Sequence, residues 1–191
     1  MKIIKKEENK LVLELNTSAE LANSLRRAAI FKVPTLAIED VYFTENNSVL
    51  YDEQIAIRLG LIPLKTSAKL NLHNECSCKG KGCKKCQIKV ELKEKGPKMV
   101  LAKDLKITGA EVVCPEMPIA WLEATHELDL KASAAMGLGE EHAKWNTGWA
   151  YYKKEGNKFI FTLESWGQLK PKDILKKAAE VVKKELGGLK L

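Results

Sequence analysis

Arginine is almost missing from this 191-residue chain: 29 lysines are accompanied by only 3 arginines, and 20 glutamates by 5 aspartates. Lysine and glutamate enrichment is a thermophile tendency that genome composition also produces. Where lysine is the default cation, each arginine marks a place that needs a planar fork or a stacking surface. Histidine is scarce too, limited to His73, His126 and His142. That argues against a catalytic zinc, which usually includes histidine and keeps a vacant or water-filled position. Aromatic residues make up 6% of the chain and are not interleaved with the lysines, which argues against a surface that stacks single-stranded bases. The chain has no apolar run of about 18 residues, the length a membrane-spanning helix needs. Its first dozen residues, MKIIKKEENKLV, lack the apolar stretch and small residues of a secretory signal. The expectation is a soluble, cytoplasmic protein that does not meet a membrane. The net charge of +7 and pI near 9.1 permit contact with nucleic acid, but lysines scattered among glutamates fit a solvated surface equally well.

Cysteine, by contrast, is concentrated. Cys76, Cys78, Cys83 and Cys86 fall within the segment CSCKGKGCKKC, and Cys114 stands apart. The CxCx4CxxC spacing sets two close pairs around a turn containing Gly80 and Gly82. Four thiolates on so short a loop can close a tetrahedral shell around one structural zinc ion, and the glycines let the backbone bend tightly enough. Lysines at 79, 81, 84 and 85 surround the sulfurs and favour their deprotonation, and thiolates are what bind metal. Two local disulfides or an iron-sulfur cluster are the alternatives, and nothing else in the chain suggests an oxidising compartment. A closed shell of four cysteines predicts a staple and not an active site. His73, three residues before Cys76, reads as a satisfied loop residue, and Cys114 as a small buried hydrophobe. An enzyme built on Cys114 or His142 has no visible activating constellation.

Along the chain, KLVLEL at 10–15 alternates as a half-buried strand. Thr17 with Glu20 matches a capping box that opens a helix to about residue 31, with Leu21, Leu25, Ala28 and Ala29 on one stripe and Arg26 and Arg27 beside it. A second short helix is expected from about Tyr51 to Leu59, with Ile55 and Leu59 inward and Gly60 at its end. From 65 to 113 the texture turns lysine-rich and strand-prone, with Ile88, Val90 and Leu92 alternating. Residues 126–132 read as a strand with His126, Leu128 and Leu130 on one side. The GxG within MGLGEEHAKW lacks the strand-loop-helix context that phosphate binding requires. A hairpin turning at Gly156 and Asn157 follows. The last element is a helix opened by Pro171, with Ile174, Leu175, Ala178, Val181, Val182 and Leu186 on a broad apolar face. Amphipathic helices at opposite chain ends, each beside strands, indicate an α+β domain built jointly by the termini and interrupted by the middle.

The segments ELANSLRRAAIFKVPTLAIEDV and YDEQIAIRLGLIPL, in that order and at that separation, resemble the assembly-platform subunit family of cellular RNA polymerases, which includes bacterial alpha, its archaeal counterpart and the eukaryotic third-largest subunit. GLGEEHAKW is similar to the family's HAKW segment, so the resemblance covers nearly the whole chain. It implies an α+β fold with a discontinuous dimerisation domain, two helices on a sheet, from residues 1–42 and 148–191. A β-rich insert domain, 43–147, would carry the metal loop 76–86. It implies a non-catalytic subunit that pairs with a smaller partner, subunit L, and on which the second-largest catalytic subunit and small subunits N and P assemble. Leu21, Leu25, Arg26, Arg27, Leu175, Ala178 and Val182 are the expected partner-binding residues of the two helices. Arg58 is expected to make a forked contact to the large subunit. DNA and RNA would be met only through the whole polymerase. The four-cysteine loop favours the archaeal and eukaryotic branch. The sequence departs from the family at Ile57, where AHRLG is common, and at Asn146–Thr147, where a proline often follows HAKW. Between Leu163 and Pro171 it has only ESWGQLK, where many archaeal members insert a ferredoxin-like domain, so no iron-sulfur cluster is expected. The competing reading is a free-standing zinc-ribbon protein that binds nucleic acid.

Overall fold

The computed structural model describes residues 2–67, 70–78 and 81–188. In chain order the first elements are β1 (Lys2–Lys6), β2 (Lys10–Leu15), α1 (Ala19–Phe31), β3 (Thr35–Asn46) and α2 (Asp52–Gly60). After the cysteine loop come β4 (Gln87–Lys95), β5 (Lys98–Leu101), β6 (Lys106–Ile107), β7 (Pro118–Leu122) and β8 (Glu127–Gly137). The chain continues with β9 (Gly148–Glu155), β10 (Lys158–Ser165) and α3 (Pro171–Gly187). It is a mixed α/β protein that divides into two compact units, 1–35 with 138–191, and 36–137. Among the described residues no helix is long and apolar enough to cross a membrane.

The discontinuous unit is built on an antiparallel sheet of order β1-β2-β10-β9. The alternation read in KLVLEL holds: Leu11, Leu13 and Leu15 are buried and the residues between them are not. Phe159, Phe161 and Leu163 of β10 lie opposite Leu15, Leu13 and Leu11 in register. Ala22, Ala28 and Ala29 of α1 and Ile174, Leu175, Ala178 and Val182 of α3 share one apolar core with those strand residues. The β9–β10 hairpin closes where expected, Glu155 pairing Lys158 around Gly156, whose φ of +59° suits glycine. The cap of α1 differs by one residue from the sequence reading. Ser18 adopts extended angles and its hydroxyl accepts the Leu21 N–H at 3.3 Å, so it takes the place expected of Thr17. Leu186, expected on the apolar face of α3, is 57% exposed in the last turn. Gly139 of the GxG has a packing reason: a Cβ there would stand 2.2 Å from Asn146 Oδ1 and 2.9 Å from the Ile30 carbonyl.

The other unit holds a sheet of order β3-β8-β4-β6 and the two-stranded ribbon β5-β7. β4 and β8 pair along nine consecutive positions, from Gln87↔Ala135 to Lys95↔Glu127. Ile88, Val90 and Leu92 face the core on one side of β4, as do Leu128 and Leu130 of β8. His126 precedes the strand it was expected to join. Its Nδ1 accepts the Glu123 N–H at 3.2 Å and its carbonyl accepts the Gly96 N–H at 2.9 Å, so it closes a turn. Helix α2 enters the same core through Ile55 and Leu59, both fully buried, followed by Ile62 and Leu64. Burial of each such side chain is worth about 1.5–3 kcal/mol. A nine-residue helix is too short to persist without such anchoring.

Candidate metal centre and partner faces

The cysteine loop begins with a single 3-10 turn, His73–Glu75, that delivers Cys76, and it ends where Cys86 runs directly into β4. Between Cys83 and Cys86 the chain makes a tight knuckle: the Cys83 carbonyl accepts the N–H groups of Cys86 at 2.9 Å and Gln87 at 2.8 Å. Asn71 N–H donates to the Lys85 carbonyl at 2.9 Å and ties the two arms of the loop together. Gly82 has a φ of +80°, a left-handed conformation that L side chains rarely adopt. Lys79 and Gly80 lie outside the described residues. Lys81, Lys84 and Lys85 are exposed around the loop.

This backbone brings all four sulfurs within 4.8 Å of one another. The separations are 3.6 Å for Cys76–Cys83, 3.5 Å for Cys78–Cys86 and 3.8 Å for Cys83–Cys86. A disulfide needs about 2.05 Å, so these are not covalent pairs. With metal–sulfur bonds of about 2.3 Å the edge of a tetrahedron is about 3.8 Å, so the cluster has the dimensions of a four-thiolate metal shell. Cys76 and Cys86 are buried, and Cys78 and Cys83 are partly exposed. The Cys83 N–H points at the Cys86 sulfur at 3.3 Å, the kind of outer contact that orients a ligand. Without a cation the thiols compete for protons. Burial pushes Cys78 up, but sulfur contacts with Cys86, Cys76 and Cys83 and the Gly82 N–H outweigh it and hold Cys78 down at about 6. At Cys86 burial dominates, and the thiol is pushed up to about 12. A divalent cation would take the place of those protons. Among the described residues neither a histidine nor a carboxylate joins the four sulfurs, so bound metal would have no open position for chemistry and would act as a staple.

The other candidate residues are dispersed. On α1, Leu21 is 44% exposed and Arg27 is exposed as well, while Leu25 and Arg26 are half-buried. Arg26 donates from Nε and Nη2 to Asn23 Oδ1, at 3.1 and 3.0 Å. Leu175, Ala178 and Val182 of α3 are spent on the core of their own unit. Arg58 is engaged inside its own chain, where Nη1 donates to the Ile119 carbonyl at 2.7 Å. Cys114 is exposed. His142 caps the 3-10 turn Ala143–Trp145 by accepting the Lys144 N–H at 3.1 Å. Sequence reasoning did not single out the exposed Trp149, Tyr151 and Trp166, with Trp149 and Trp166 edge to face at 6.3 Å. The first two are one residue out of phase with buried Ala150, a signal that alternation in β9 carried.

Residues 41–150 match the family model described as the RNA polymerase Rpb3/RpoA insert domain. Several curated relatives are named DNA-directed RNA polymerase subunit Rpo3. The one from Methanopyrus kandleri is 45% identical over 68% of this chain and 48% of its own length. That from Thermoplasma volcanium is 35% identical over 92% of this chain and 73% of its own length. That from Methanocaldococcus jannaschii is 36% identical over 90% and 84%. The chain spans about half the length of some of these relatives and most of others. The chain therefore belongs to the RNA polymerase Rpb3/RpoA family and is similar to its archaeal Rpo3 members.

Proposed function

We propose that the chain is a non-catalytic assembly platform of an archaeal DNA-directed RNA polymerase, working in the cytoplasm. The observation that carries this reading is the likeness to Rpo3 subunits along 92% of the chain. In this reading the dimerisation domain, expected from residues 1–42 and 148–191, pairs with subunit L. Leu21, Leu25, Arg26 and Arg27 present the outer side of α1, and Leu175, Ala178 and Val182 hold α3 in place from within. The second-largest subunit docks on α2, where Tyr51, Ile57 and Leu61 are exposed, and small subunits N and P complete the platform. Cys76, Cys78, Cys83 and Cys86 hold one structural zinc, whose contribution is the order of the loop. Nucleic acid is met only through the assembled enzyme.

Co-expression of the chain with an archaeal subunit L, followed by mass and metal analysis of the purified complex, tests this. The expected product is a 1:1 heterodimer with one zinc per chain. A stable, metal-free monomer would contradict both claims. A strong, salt-sensitive mobility shift of nucleic acid by the chain alone would favour the zinc-ribbon reading instead.

A further inference from the structure

Arg58 meets a carbonyl that the sheet leaves over. Strands β5 and β7 pair through Lys98↔Leu122, Met99↔Trp121 and Val100↔Ala120, and the register then jumps to Leu101↔Pro118. The residue skipped is Ile119, and a bulged residue drops out of the ladder. Ile119 is fully buried, so its carbonyl needs a partner from outside the ribbon. Arg58 supplies one, with Nη1 at 2.7 Å. It does so from the last turn of α2, where a cation also faces the negative end of the helix dipole. The helix is thus tied to β7 by a bond at its end and by Ile55 and Leu59 beneath it. Its other side leaves Ile57 64% and Leu61 54% exposed, one turn apart on the same face.

We propose that Arg58 is a positioning residue: its bond to the Ile119 bulge fixes α2 on β7 and sets Ile57 and Leu61 for docking the second-largest subunit. The docking half rests on the platform function proposed for the chain, and the clamp does not. The guanidinium suits the role because one arm of a fixed, always-charged fork holds the carbonyl. Lysine, the chain's default cation, offers a single flexible point charge.

The test measures hydrogen exchange of amides 55–61 in the full chain, and capture of a co-expressed archaeal second-largest subunit, for Arg58→Ala, Arg58→Lys and Ile57→Asp. Arg58→Ala should speed exchange about tenfold, the scale on which a buried carbonyl loses its partner, with capture falling in step. Arg58→Lys should recover both to the same degree. Ile57→Asp should keep parental exchange and lose capture. Unchanged exchange in Arg58→Ala overturns the proposal, as does an Arg58→Lys chain with parental exchange and no capture, which would make Arg58 a direct contact. Faster exchange in Arg58→Ala with capture intact in all three variants upholds the clamp and overturns the docking reading. If Arg58→Ala does not fold, the parallel between exchange and capture in Arg58→Lys decides.

Discussion

Two short segments of the unit 36–137 solve the same problem in opposite ways. The stretch 51–64 is ordered by burial: Ile55, Leu59, Ile62 and Leu64 are each at most 2% exposed. Among its described residues the stretch 70–86, of similar length, offers that core only Leu70 and Leu72 as partly buried apolar groups, and its four cysteine sulfurs lie within 4.8 Å of one another. Burial distributes stability over many contacts of about 0.1–0.2 kcal/mol per atom pair, whereas ligation concentrates it in four bonds that stand or fall together. A distributed anchor should weaken by degrees, and a concentrated one should fail at once.

The largest effect should therefore come from a single sulfur. Cys86→Ser removes one ligand and leaves a hydroxyl at a buried position. If the loop holds the proposed metal, its loss should be complete, with loop amides exchanging freely while β4 and β8 stay protected, as read by metal analysis and hydrogen exchange. Acid should do the same reversibly. In the metal-free loop Cys78 is held at about 6, below the ordinary thiol, so its thiolate persists at neutral pH and is lost as pH falls through that value. Metal affinity should fall with it. A loop that stays protected after chelation would erase the contrast between the two segments.

A smaller but still clear effect is expected on the burial side. Ile55→Ala should cost about 2–5 kcal/mol of unfolding free energy, by lost transfer and by the cavity left behind. Denaturant unfolding should show the loss, while the folded fraction keeps its metal. Simultaneous loss of metal in the folded state would mean that the two anchors are one.

The clustering of the four cysteines and the buried pair Ile55 and Leu59 were both legible in the sequence, because each rests on a local pattern: cysteine spacing in one case, and a four-residue interval in the other. What escaped depends on distant chain. Arg58 could be picked out as one of three arginines, but its target is a carbonyl freed by a bulge 61 residues away. Ser18 and Thr17 are adjacent hydroxyls, and only the backbone angles decide which becomes the cap. Leu186 matches the period of its helix, yet a period marks a face and not how far the covering surface reaches. The aromatics Trp149, Tyr151 and Trp166 look sparse along the chain, and folding is what sets Trp149 and Trp166 edge to face.

The finest test of the comparison is Gly82→Ala, which keeps all four ligands and perturbs only the backbone that aims them. Two penalties are in play. A Cβ at Gly82 would stand 2.4 Å from Gln87 Oε1, but that oxygen ends a flexible side chain and can rotate away. The φ of +80° cannot be relieved so cheaply, and a left-handed L residue costs about 1–2 kcal/mol. Backbone strain should therefore dominate: metal affinity should drop by about five- to thirtyfold, and adding Gln87→Ala should not restore it. Competition with a chelator of known affinity measures both variants. Rescue by Gln87→Ala would show that the clash, not the conformation, sets the cost. An affinity equal to the parent's would mean that the loop tolerates another path at this turn, and that the sulfurs alone, without a pre-bent backbone, are enough to hold the ion.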